Sequence, residues 1–473
     1  MKAPLQGSSF QLDVSGIAGF FGGEEAFAAM SSVHLVRGRK WLGFYNSPGS
    51  YFVAKKYGVL ARSRVWDGLY PGVNVDPAKM LELDGKTGSP YVALKSGTRL
   101  AAPGHLAYLL ERHCGEERKK EEKEKAKQIG KRGFRAACHR GQNSDIEDGT
   151  RRQGKAETKK PGVGLSIVYL NELEGTSKYL EPSQHSFTWD TAVAFIAIGY
   201  SLGACVLCAV FEDWFCFAMI LLGILSNGIS CFIIGLGDLR IKPTSPSKNS
   251  PPGDGVLDNN NEMVLLIGSE RSVTTVTKGK FYLFYRSETE YHDLGCCAAL
   301  LTTQFLLQLF IIPQGTLFGQ IMFLSSLAVS WLYNAYLASL DSESLQRGIL
   351  KEIALKNNRL SRVSFQKRTA AVVFIAVYGK AVKLRRFLDD MIPNDTPAWE
   401  LIKTAIASAI SQNKDPKKFS KEDAEMCQKI DALPDNGTGL VWDMLTQASL
   451  GLEMAQKELK KLETSEVGEG QGD

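Results

Sequence analysis

The chain has 473 residues, with 56 Lys and Arg against 51 Asp and Glu, yet long parts of it hold no cation. From Thr191 to Gly237 there is no Lys, Arg or His, and Glu212 and Asp213 are the only acids. From Leu294 to Leu340, 47 residues pass without any charge. A buried helix of a soluble protein seldom runs past about 18 residues uncharged, so these stretches exclude an ordinary soluble core. The same absence counts against active transport, because proton relays, ion-coupled carriers and voltage sensors use ionisable groups at depth. Enzyme signatures are missing too. No Walker loop, HExxH, GxSxG or kinase-like set occurs, and the glycines of "GVGLSIV" (162–168) make no nucleotide fingerprint. No catalytic residue, metal site, cofactor or nucleic-acid partner is expected.

What the chain does have is apolar length. Thr191–Phe211 is 21 uncharged residues and Trp214–Gly237 is 24. Each suffices for a bilayer, since a helix rises about 1.5 Å per residue through roughly 30 Å of hydrocarbon. Leu294–Leu340 is long enough for two crossings, and Pro313-Gln314-Gly315 marks the turn between them. The expected fold class is an α-helical integral membrane protein. Four transmembrane helices form two hairpins, 191–237 and 294–340, with small α+β cytoplasmic modules.

All 56 Lys and Arg lie in residues 1–186, 238–293 or 341–473. Basic flanking loops stay cytoplasmic, so both termini and the central loop are expected there, with only the two tips on the far face. Glu212 and Asp213 then cap a tip at the far headgroups, beside Trp214. The first 25 residues lack a long apolar core with a basic flank, so no cleaved signal peptide is expected. On this topology Asn394 and Asn436, although in glycosylation patterns, are expected to stay unmodified. Six of the nine cysteines fall within the spans, unlike a secreted disulfide framework.

The remaining sequence divides by composition. Residues 1–114 alternate aromatic and basic residues between Gly and Pro, as in "HLVRGRKWLGFYNSPGSYFVAKKYGV", and predict an N-terminal cytoplasmic α+β module of short strands and turns. Residues 115–160 hold 15 basic and 9 acidic residues with few large apolar ones. That predicts a charged disordered linker, helical at most at its start, able to meet anionic lipids or acidic partners. Residues 161–190 form a pre-membrane segment. In the loop 238–293, "EMVLLIG" (262–268) and "KFYLFY" (280–285) predict two strands. Between them runs a helix capped by Ser269 and stopped at Gly279, making a strand–helix–strand unit. Residues 341–414 predict cytoplasmic helices. "AAVVFIAVYG" (370–379) is too short to cross a bilayer, and Pro397 stands at the first position of another helix. Residues 415–473 predict a helical C-terminal tail.

The spans carry neutral amides: Asn227, Gln304, Gln308, Gln320 and Asn334. They either hydrogen-bond between helices as packing glue or line a pore, and glue is the commoner use. Gly199-xxx-Gly203 and Gly315-xxx-Gly319 are spaced for close helix approach, within the bundle or in a homo-oligomer. Cys205-x-x-Cys208 lies mid-span, where small core cysteines are expected rather than a redox pair. His113-Cys114 and Cys138-His139 lack the paired spacing of zinc ligands. Cys296 and Cys297 sit just inside the interface and are candidates for lipidation. His292, four residues before Cys296, leaves a Cys–His dyad, and with it a lipid-modifying enzyme, as a third reading.

The runs "GDGVLDNNNEMVLLIGSERSVTTVTKGKFYLFY", "QLFIIPQGTLFGQIMFLSSLAVSWLYNAYLASLD" and "IPNDTPAW" resemble a family of basidiomycete fungal multi-span integral membrane proteins of unknown function. The resemblance extends from "RSRVWDGLYPGV" to "PNDTPAW". It implies a shared architecture and carries no activity, ligand or catalytic residue. The expected role is non-enzymatic: a scaffold or regulatory membrane protein displaying cytoplasmic interaction modules. The alternative is a small oligomeric channel lined by the neutral amides.

Overall fold

The computed structural model describes residues 21–73, 75–140, 162–170, 187–242, 244, 246–259, 262–286, 290–354, 360–433 and 437–469. The chain divides into two compact units whose segments alternate along the sequence. A span unit takes residues 1–85, 175–242 and 280–353; a sheet unit takes 86–174, 243–279 and 354–473.

In the span unit, four helices are long and apolar enough to cross a membrane: Thr191–Val210, Trp214–Ile234, His292–Gln314 and Leu317–Ala338. We call them spans 1 to 4. Span 1 packs on spans 2 and 4, and span 2 packs on span 3. Their surface is apolar outward and polar inward. Phe195, Ile196, Phe310 and Leu332 are each more than 60% exposed, whereas Ser201, Ser230, Ser326, Ser330 and Asn334 are fully buried. That polarity suits a hydrocarbon surround, in which exposed apolar faces cost nothing and polar groups must pair inside.

Two further helices complete the bundle, Gly23–Ser31 against span 4 and Ser50–Gly58 against span 3. Of the expected N-terminal α+β module, strands occur at Tyr91–Ala93 and Arg99–Leu100, but the strands expected from the aromatic and basic alternation are corrected. Residues 21–69 hold helices and 3-10 turns, with no ladder among them, and pack on the spans. The aromatic and basic alternation misled because its rings face other helices rather than a strand partner: Tyr51 meets Phe305 at 5.2 Å, and Trp41 meets Phe232 at 4.7 Å.

In the sheet unit, six strands run in the order β2-β1-β5-β6-β3-β8. They are β1 (Tyr91–Ala93), β2 (Arg99–Leu100), β3 (Val163–Leu170), β5 (Gly255–Asn259), β6 (Glu262–Gly268) and β8 (Leu360–Phe365). Among the described residues only β3 and β6 pair in parallel, with Gly164 opposite Glu262 and Leu170 opposite Gly268. A parallel pair needs a long crossover, and here the connection includes spans 1 and 2. Met263 and Leu265 of β6 join a core with the helices Arg368–Tyr378 and Gly437–Glu469. Val264 and Leu266 point to the other face, where the helices His105–Arg140 and Glu270–Lys278 pack on β6. Arg368–Tyr378 packs on β3, β8 and Gly437–Glu469, which explains why "AAVVFIAVY" is apolar on every side.

Other expectations change as well. The strands of 262–268 and 280–285 flank a helix capped by Ser269, as the residues suggested, but they do not pair with each other. The second strand, β7 (Lys280–Phe284), pairs with β4 (Asp238–Lys242) in the span unit. Periodicity identifies strands but not their partners. The charged 115–160 stretch is helical to Arg140, a continuation of the apolar turn at Leu106, Leu109 and Leu110. Residues 141–160, most of 171–190 and Asn436 lie outside the described residues. Within 341–414, helices were expected throughout, yet "LSRVSF" forms the edge strand β8.

Candidate functional site

The feature that sequence reasoning missed is the stretch 32–49, which runs into the interior of the span bundle. It leaves the helix Gly23–Ser31 through two 3-10 turns, Ser32–His34 and Arg39–Trp41. It re-emerges at Gly49, in the left-handed region at φ 74, where a Cβ would lie 2.4 Å from the Gly23 Cα. The glycines of span 2 record its path. A Cβ on Gly235 would strike Val33 and Lys40, one on Gly228 would strike Phe44, and one on Gly223 would strike Asn46. Asn46 thus reaches the middle of span 2 by residue count.

Several polar groups of this stretch meet the spans or the turn that follows span 2. His34 Nδ1 lies 3.1 Å from the Gly237 carbonyl oxygen. Burial pushes the imidazole pKa down to about 4, with the carbonyl bond opposing. The ring is therefore neutral at pH 7, with Nδ1–H donating. Asn227 donates to the Gly43 carbonyl at 2.7 Å. The Asn46 backbone N–H donates to Ser201 Oγ at 3.1 Å, and its Nδ2 donates to Ser326 Oγ at 2.8 Å. Tyr45 donates to Asn334 Oδ1 at 2.7 Å, and Asn334 Nδ2 donates to Ser47 Oγ at 3.0 Å.

Arg39 is 2% exposed. It donates to the Tyr45 hydroxyl at 3.0 Å, and its guanidinium lies over the Tyr333 and Tyr45 rings at 5.3 and 5.8 Å. Among the described residues no carboxylate pairs with it. Two aromatic faces supply the negative potential that a buried cation requires, a contact worth about 2 kcal/mol when desolvated. The apolar half of the bundle holds the other unusual charge. Asp213 is 3% exposed and caps span 2 by accepting from the Cys216 N–H at 3.0 Å. It also accepts from the Thr316 N–H at 2.7 Å and the Thr316 hydroxyl at 2.6 Å, and Thr316 caps span 4. One carboxylate therefore sits at two helix N-termini, where helix dipoles favour negative charge.

The residues singled out by sequence fall into distinct roles. Asn227 and Asn334 hold the incoming stretch, while Gln308 crosses from span 3 to the Met219 carbonyl of span 2 at 3.4 Å. Gln320 closes the Pro313 turn on the Gly315 carbonyl at 3.2 Å, and Gln304 is 1% exposed between helices. Gly315 and Gly319 make room for Asp213 and Cys216 rather than for a helix backbone; a Cβ on Gly319 would lie 2.0 Å from Asp213 Oδ2. Gly199 and Gly203 face open space, so their spacing mediates no close approach in this chain. Cys205 and Cys208 are buried in an apolar cluster. Cys296 is exposed and Cys297 buried. His292 accepts from Trp66 Nε1 at 3.2 Å through Nδ1, and its Nε2 meets Glu290 at 2.5 Å. Both ring nitrogens therefore have partners other than Cys296. Cys114 is buried, and burial pushes its thiol up to about 12; the side chains of Cys138 and His139 lie outside the described residues.

The sheet unit carries a polar cleft of ≈ 590 Å³ beside Glu111, Arg118 and Glu262. Arg118 pairs with Glu262 at 2.7 Å, and Glu111 accepts from the Ser89 N–H and hydroxyl at 3.0 Å each. Acids and bases line it together, so the cleft favours neither sign of ligand. No protein-family model, curated protein or solved structure matches the chain.

Proposed function

We propose that this chain is a multi-pass membrane protein with two hairpins, its termini and central loop on the cytoplasmic face, acting as a non-enzymatic scaffold or regulator. The observation that carries this reading is the filling of the bundle by residues 32–49. Asn227 and Asn334 spend their amides on that stretch, Gln308 bridges spans 2 and 3, and Gln320 closes a turn. A channel lined by the five span amides would need these four free as well as Gln304. The inverted polarity of the spans supports the membrane location, and the basic residues confined to 1–186, 238–293 and 341–473 support the sidedness. The resemblance to fungal membrane proteins, proposed on the quoted runs, agrees with this architecture. A tag inserted at Ser247 is expected to be protected in sealed cells. Reconstituted protein is expected to pass no ions beyond protein-free liposomes, whether or not Gln304→Leu/Gln308→Leu is present. Flux abolished by that double change would replace the scaffold with the channel. Proximity labelling from the C-terminus of the full chain then reports the partners; a labelling pattern identical to that of an unrelated membrane protein would refute the scaffold.

A further inference from the structure

The interior of the span unit is divided by depth. Toward the Asp213 turn, Cys208, Cys216, Met219, Ile220, Ile312 and Phe323 belong to one apolar cluster. In the other half, the buried polar atoms that find no partner among the described residues include Tyr57 Oη, Ser226 Oγ, Gln304 Oε1 and Asn46 Oδ1. Their side chains are at most 1% exposed. Leaving a polar atom unpaired in such a place costs about 1–3 kcal/mol, so four together call for an occupant.

They lie on elements that pack together. Gly223, Ser226 and Ser230 recur on one buried face of span 2, and Cys297, Leu301, Gln304 and Gln308 recur on one buried face of span 3. These two spans pack together, and the helix Ser50–Gly58, which carries Tyr57, packs on span 3. Asn46 Oδ1 and Gln308 Nε2 both approach Gly223.

The chemistry of the set selects the occupant. Two members are amide oxygens, which only accept; two are hydroxyls, which donate and accept. An anion is repelled by the amide oxygens. A cation has no carboxylate to neutralise it there, and Arg39 already supplies a positive charge at Cys231 next along span 2. A small neutral molecule that both donates and accepts matches every member, and water is the smallest. We propose that water molecules occupy a blind file between spans 2 and 3 and the helix Ser50–Gly58, reaching from Tyr57 to Asn46 and ending at the apolar cluster. The bundle would then be a hydrated half-channel, wet to mid-depth and dry beyond.

Cys297 and Cys208 make an internal control, because they share chemistry and burial but lie in the wet and dry halves. X-ray radiolysis of the full chain generates hydroxyl radicals from bound water and oxidises the side chains beside it. Cys297 is expected to be oxidised at least about tenfold faster than Cys208, as ordered water beside one thiol and not the other requires. Ser226→Val/Gln304→Leu, which removes two of the polar atoms, is expected to bring Cys297 down to the Cys208 rate while circular dichroism stays unchanged. Equal slow rates in the natural chain would overturn the water file, and equal fast rates would overturn its blind end. An unchanged Cys297 rate in the double variant would overturn its location. None of these readings depends on which way the spans face, so a failed topology and a failed water file are separable.

Discussion

The two units bury opposite kinds of surface. In the sheet unit, Val372, Val373, Phe374 and Ile375 are fully buried, and an ion pair such as Lys429 with Glu425 lies toward solvent. In the span unit, serines and amides are inside, and Phe195, Phe310 and Leu332 face outward. The same twenty side chains follow one rule in both: a group settles where its surroundings match it. The sheet unit behaves as though its surroundings are water and the span unit as though they are hydrocarbon. An exposed leucine thus means different things in the two places.

The largest effect that tests this contrast lies in the sheet core. Phe374→Ala is expected to cost about 3–5 kcal/mol, seen as a lower denaturation midpoint of the purified chain in detergent. Next comes the outward face of span 2. Leu225→Arg is expected to lower membrane insertion by about 2.5–3.5 kcal/mol in a translocon assay. Leu450→Arg, at the similarly exposed Leu450 of the sheet unit, is expected to shift stability by no more than about 0.5 kcal/mol. Equal tolerance at the two leucines would erase the distinction between the units.

The buried imidazole adds a pH dependence to the span unit. The folded His34 pKa is about 4, against 6.5 when free. Below pH 6.5 the unfolded chain takes up a proton that the folded chain refuses. Stability is therefore full above about 6.5 and falls as pH drops toward 4, by roughly 3 kcal/mol at most. His34→Gln is expected to flatten that part of the pH profile of thermal unfolding; an unaltered slope would remove His34 as its source. At the turn, Asp213→Ala is expected to cost about 2 kcal/mol by uncapping span 2 and freeing Thr316, seen as a lower midpoint of thermal unfolding.

How much of this was legible depended on the range of each interaction. The four spans could be read from uncharged length alone, and the ends of the Glu270–Lys278 helix from Ser269 and Gly279. The roles of the amides could be narrowed but not assigned. The stretch 32–49 was not legible as a bundle element because "RGRKWLGFYNSPG" has no apolar period. Much of its burial is justified by partners 155 to 289 residues away, such as Ser201 for Asn46 and Asn334 for Tyr45. One trace was present in advance: Gly223 and Gly228 in span 2 and Gly235 just past its end carry no side chain to fill the space beside them. Asp213 is similar. Its isolation was visible, but its service to two helix ends required the second turn to be brought beside the first.

The sequence alone determined which segments are helical and apolar enough to span, and where its cations lie, because both depend on local composition against a fixed thickness of hydrocarbon. Only the tertiary structure decided that β6 and β7 belong to different units, that an Arg rests between two tyrosines, and that the spans' polar faces close on residues 32–49. Pairing a strand edge or a buried polar group is a choice among distant partners. The free energy that settles it exists only once those partners are packed together.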